Sequence, residues 1–169
     1  MRMRFFLMII LCPVWMFAQN IEKDHYDRIL GLRSINTTSV LLDHSIPDNT
    51  VYGSVFIRNN GDTIMSLTMY FKTPAITSVN KGSKLIMELD DGSELLMHHA
   101  ADDRSYGSKD LAFAFITLDA HAASQLRNHA VVKYRLETSG AYIDVFIREK
   151  AKYAIRDIVV LLEERMREE

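Results

Sequence analysis

Apolar side chains fall at every second position along most of this chain, and at every third or fourth position only near its end. Val51, Gly53, Val55 and Ile57 alternate with Tyr52, Ser54, Phe56 and Arg58, the period of a strand with two unlike faces. Asn59-Asn60-Gly61-Asp62 then supplies the positive-φ residues that a tight hairpin needs. The return strand, Thr63 to Lys72, puts Met65, Leu67, Met69 and Phe71 on one face and Ser66, Thr68 and Tyr70 on the other. Pro74 closes it. A second hairpin runs from Lys84 to Asp90, turns at Asp91-Gly92-Ser93 and returns as Glu94 to His99; Asp-Gly between apolar runs is among the strongest short-range hairpin signals. A third joins Val131–Glu137 to Ala141–Ile147 at Thr138-Ser139-Gly140.

Leu111 to Leu118 departs from alternation, being apolar everywhere except Thr117. Such a run predicts a strand in the middle of a sheet with both faces covered. Asp119 can cap a short helix through Arg127, in which Ala120, Ala122, Ala123 and Leu126 are good helix formers. Ala100 to Asp110 holds three Asp, one Arg and one Gly with little apolar content, and reads as a solvated, mobile loop. Toward the N-terminus, Asn20 to Ser34 is a polar, loosely helical stretch with Ile21, Tyr26, Ile29, Leu30 and Leu32 as its apolar members. Thr38 to Leu42 reads as a short strand, and Asp43 to Asn49 as a turn-rich connection. From about Arg148 to Arg165 or Met166 the period becomes helical, since Ala151, Ile155, Ile158 and Leu162 form one stripe. Glu163-Glu164 and Glu168-Glu169 lie where the helix dipole disfavours acid, so the last turn is expected to fray.

The pattern therefore predicts a mainly β (α+β) fold: an antiparallel β-sandwich or strongly curved sheet of about seven or eight strands, with a C-terminal helix packed on it. No internal repeat, low-complexity tract or linker marks a second domain, so residues 20–169 are expected to form one.

The first residues follow a different logic. Arg2 and Arg4 precede Phe5 to Ala18, a segment without charge or strongly polar side chains, which is the layout of a secretion signal. The segment is shorter than the roughly 20 apolar residues that cross a bilayer. Cleavage is expected near Ala18 or Gln19, and Leu11 before Cys12 does not fit a lipoprotein signal. Processing would remove the only cysteine, Cys12, and the only tryptophan, Trp15. The exported form would have no disulfide to staple it and must rely on its core. Without Arg2 and Arg4, 18 basic residues face 22 acidic ones, a formal charge of −4. That balance does not attract phosphate backbones, so nucleic acid is not an expected partner.

The run Gly82-Ser83-Lys84-Leu85-Ile86-Met87-Glu88-Leu89-Asp90-Asp91-Gly92-Ser93 resembles the strand, Asp-Gly-Ser turn, strand element of small exported bacterial proteins of unknown function. Phe115 to Arg127, then Val131 to Arg148 and the amphipathic tail, resemble their C-terminal half. The resemblance spans roughly Thr50 to Glu164 and implies a β-sandwich-like domain with a C-terminal helix. That family has no assigned chemistry, so the resemblance implies no site residue.

Candidate chemistry is sparse. His98, His99, Asp102 and Asp103 carry metal-ligand side chains, but neighbours on a strand point to opposite faces, so no metal site is assigned. Asp24 with His25, and Asp43 with His44, are sequence neighbours that need spatial convergence to act as acid and base. His121 and His129 flank the short helix and read as cap or solvent contacts. The nucleophile elbow, the Ser-x-x-Lys and His-Glu-x-x-His motifs and the glycine-rich phosphate loop are all missing. No catalytic residue and no cofactor is assigned. The expected function is that of an exported, non-enzymatic binding module for an envelope protein or glycan. The alternative is an envelope-polymer hydrolase with a carboxylate pair among Asp90, Asp91, Asp102 and Asp103, roughly 5 to 9.5 Å apart.

Overall fold

The structure is a computed structural model that describes residues 19–43, 49–72, 78–101 and 111–168, with the Leu111 side chain left out. The expected signal segment, His44, and Asp102 to Asp110 of the predicted loop lie outside the described residues.

Among the described residues, ten strands form two antiparallel sheets, accompanied by two α-helices. The strands are β1 (Ile21–Asp27), β2 (Leu32–Thr37), β3 (Val40–Leu41), β4 (Thr50–Arg58), β5 (Thr63–Lys72), β6 (Lys84–Leu89), β7 (Glu94–His98), β8 (Leu111–Leu118), β9 (Val131–Glu137) and β10 (Tyr142–Phe146). The helices are α1 (Ala120–Asn128) and α2 (Ala154–Arg167). The first sheet runs β1-β2-β4-β5-β8, with β3 also paired to β4, and the second runs β10-β9-β6-β7. The mainly β fold and the C-terminal helix agree with the sequence pattern.

Alternation decides which face each strand buries. Val51, Val55, Leu67, Met69, Ala114 and Ile116 are fully buried on the inner face of the first sheet. Leu85, Met87, Tyr134 and Leu136 do the same for the second. Both sets belong to one continuous apolar core. The stripe of α2, namely Ile155, Ile158, Val159 and Leu162, is buried in that core. A Cβ on Gly53 would lie 2.3 Å from Ile158 Cγ2 and 2.7 Å from Leu162 Cδ1, so only glycine lets the helix approach β4 this closely.

Three expectations need correction. Asn20 to Ser34 is not helical: it makes the β1–β2 hairpin, paired from Ile21 with Thr37 to Asp27 with Leu32. Its alternation is hidden because β1 is mostly exposed. Asp27 Oδ1 accepts the backbone N–H groups of Ile29 at 2.8 Å and Leu30 at 3.0 Å, and Gly31 turns at φ 58°. Leu111 to Leu118 is not central but the last strand of the first sheet. Its inner face is Ala112, Ala114 and Ile116, while half-buried Phe113 and Phe115 lie on the other. A bridge from His99 to Ile116 and the Ala100 N–H on Phe115 O at 2.8 Å tie it to the end of β7. The C-terminal helix starts later than Arg148, after a 3-10 turn at Glu149–Ala151, and continues to Arg167. Two of its late acids have partners: Glu163 pairs with Arg127 and Arg167, and Glu168 with Arg165.

Candidate functional site

The predicted polar candidates disperse. His98 is exposed on the outer side of the second sheet, whereas His99 is buried and its Nδ1 accepts the Phe115 N–H at 3.0 Å. They point apart, as strand geometry requires. Asp24 takes Arg33 in a two-point ion pair at 2.9 Å and Arg165 of α2 at 3.0 Å. Hydrogen bonds from Arg33 and then Arg165 hold its carboxyl below the usual range. Asp24 is thus a structural clasp between hairpin and helix, on the opposite face from His25. Asp43 pairs with Arg148 at 3.5 Å. His121 is exposed.

One convergence was not foreseen. The His129 ring at the end of α1 lies 3.3 Å from Asp90 and 3.7 Å from Asp91. The Asp91 carboxyl is lowered mainly by hydrogen bonds from the Ser93 side chain and backbone. All three side chains are about one-third exposed or more, and none lines either concavity described below. Among the described residues, no three His, Cys, Asp or Glu side chains gather as a metal site.

The larger constellation is aromatic. Because β4 and β5 pair with Thr50 opposite Tyr70 and Tyr52 opposite Thr68, the two tyrosines are diagonal neighbours on the face away from α2. Their rings stack 6.0 Å apart at 27°. Tyr70 also faces Phe113 of β8, again 6.0 Å between centroids. Burial, followed by the influence of neighbouring Tyr52, raises the Tyr70 hydroxyl above the ordinary phenol value. Tyr70 is therefore neutral at physiological pH. Around the row lie Ser54, Ser66 and Thr68, small hydroxyl residues buried between the rings' strands.

The row ends at a concavity. Tyr52 forms one wall of an open cleft of about 450 Å³, completed by Glu22, Lys23, Asn36, Thr37 and Ser39. Two local features shape it. The Thr37 hydroxyl accepts the Gly53 N–H at 3.0 Å where β2 gives way to β3, and Ser54 Oγ donates to Asn36 Oδ1 at 2.7 Å, fixing that amide at the cleft wall. A second concavity, about 410 Å³, lies at the hairpin end among Leu30, Gly31, Arg58 and Asn59 and has no aromatic wall.

The second sheet also exposes rings, Tyr142 and Phe146, but each is overlaid by a cation of its own sheet. Lys133 Nζ lies 5.1 Å from the Phe146 centroid, and the Arg135 guanidinium 5.8 Å from that of Tyr142. Arg135 is held in turn by Asp144 at 2.6 and 2.7 Å. Those rings complete a local charge network, whereas the Tyr52–Tyr70–Phe113 row leads into a cleft.

In comparisons with known proteins, no family model matches this chain, and no curated protein or solved structure matches it significantly. No described helix is long and apolar enough to cross a membrane.

Proposed function

We propose that this protein is an exported, non-enzymatic binding module that engages its ligand with the outer face of the first sheet. The observation that carries the reading is the row of neighbouring rings, Tyr52 stacked on Tyr70 and Tyr70 tilted against Phe113, which ends at the cleft beside Asn36 and Lys23. Aromatic rings combine large contact area with little conformational entropy to lose, and a few polar groups beside them fix orientation. Export is supported by Arg2 and Arg4 ahead of the apolar segment Phe5 to Ala18. The ligand is then an envelope component, protein or glycan.

The test is capture from envelope extract by the tagged chain, purified after export from cells expressing the whole sequence. Wild type should retain a defined component, and a Tyr52→Ala/Phe113→Ala double variant with an unchanged circular dichroism spectrum should lose it. Retention that is indifferent to both substitutions would place the binding elsewhere, and no retention by wild type would remove the reading.

A further inference from the structure

Resting on that reading, we infer that the ligand of the aromatic face is a neutral polysaccharide chain, its sugar rings lying along Phe113, Tyr70 and Tyr52 and one unit entering the cleft.

The chemistry of the face selects for this class. Tyr52, Tyr70 and Phe113 are each half-buried, and the part of each ring that reaches the surface offers π density, electron-rich on the ring face. The complement is a ligand with flat, weakly positive C–H surfaces, which a pyranose ring presents while its hydroxyls project around the rim. The groups beside the row match that rim: Asn36 carries an amide and Ser39 a hydroxyl that can donate and accept. A sugar hydroxyl also does both. Charge argues the same way. Glu22 and Lys23 are the charged residues lining the cleft, and their signs oppose. Single-stranded nucleic acid also stacks on aromatic rings, but it needs a basic groove tracking its backbone, and this cleft holds one lysine. An acidic or basic peptide would likewise meet no net opposite charge.

The geometry suits a chain more than an isolated small molecule. The row crosses β8, β5 and β4 with equal 6.0 Å centre-to-centre steps, straight across from Phe113 to Tyr70 and diagonally on to Tyr52, so it is a track running obliquely over the strands. It ends at Tyr52, which belongs both to the row and to the cleft. A linear polymer can use every ring at once, each adding a weak contact, whereas a monosaccharide would use only one end.

The experiment is affinity electrophoresis of the exported protein through native gels containing dextran, mannan, xylan or mixed-linkage β-glucan, with oligothymidylate as a charged stacking control. At least one neutral polysaccharide should retard the wild type, with little dependence on salt, and oligothymidylate should not. Phe113→Leu and Tyr52→Leu keep apolar volume but remove the π face; each should weaken retardation tenfold or more while melting close to wild type. Tyr52→Phe keeps the ring and should retain most of the binding. If no polysaccharide retards the protein, or if the leucine variants are retarded as wild type is, the assignment is overturned. Capture of an envelope protein that depends on Tyr52 and Phe113, without retardation in any gel, would preserve the binding-module reading and remove only the saccharide. Loss of both would remove both.

Discussion

At the scale of single residues, two buried positions have measurable consequences. Gly53 is required by contact rather than by backbone conformation, because α2 lies where its side chain would be. Gly53→Ala forces Ile158 and Leu162 off the sheet, and overpacking of this kind costs about 1–3 kcal/mol; urea denaturation should show a lower midpoint with an unchanged slope. Tyr134 presents the opposite case. Its ring is fully buried, its hydroxyl has no hydrogen-bond partner among the described residues, and burial together with the nearby Asp43 charge keeps it protonated at any ordinary pH. An unpartnered buried hydroxyl loses its hydration for nothing in return, at roughly 1–3 kcal/mol. Tyr134→Phe should therefore leave stability unchanged or raise it by about 1 kcal/mol. A clear loss in the melting temperature would mean that the hydroxyl has a role in the fold.

Among the elements, the β1–β2 hairpin and α2 are joined by the clasp of Asp24 with Arg33 and Arg165. The folded-state pKa of Asp24 is depressed, chiefly by the hydrogen bond from Arg33. Its contribution is thus present above the unfolded carboxyl value and is lost as pH falls through the folded one. Thermal melts across the acid range should show wild type losing stability more steeply than Asp24→Asn, with the two curves converging at the lowest pH. Parallel curves would mean that the clasp adds nothing. The β4–β5 hairpin shows where sequence reading stops. The Asn59–Asp62 turn fixes the β4–β5 register, and that register already makes Tyr52 and Tyr70 diagonal neighbours, so two-thirds of the aromatic row was legible in principle. Phe113 was not, because β5 and β8 pair across a long intervening stretch, and nothing local sets Met65 opposite Leu118. The uniform apolarity of Leu111 to Leu118 suggested a central strand, yet it arises from a core face of Ala and Ile opposite a half-buried pair of Phe on the outer face. His129 beside Asp90 and Asp91 was equally hidden, since it depends on how α1 leads back into β9 next to the β6–β7 turn.

For the whole molecule, the question is how the N-terminal segment relates to the folded body. The structure ties down the chain close to the expected cleavage point: Gln19 Nε2 donates to the Ala154 carbonyl at 2.8 Å, and the Thr38 N–H reaches the Asn20 carbonyl at 2.9 Å. The apolar core shared by both sheets and both helices draws its described members from Ile21 onward, so processing near Ala18 or Gln19 would leave those members in place. The composition makes processing visible without sequencing. Trp15 is the only tryptophan and Cys12 the only thiol, and both precede the expected cleavage point, whereas seven tyrosines lie beyond it. Protein recovered from the envelope or medium should therefore show tyrosine but no tryptophan emission, and should not react with a thiol reagent. Precursor held in the cytoplasm by blocking export should show both signals. Tryptophan emission from envelope material would mean that the segment is retained.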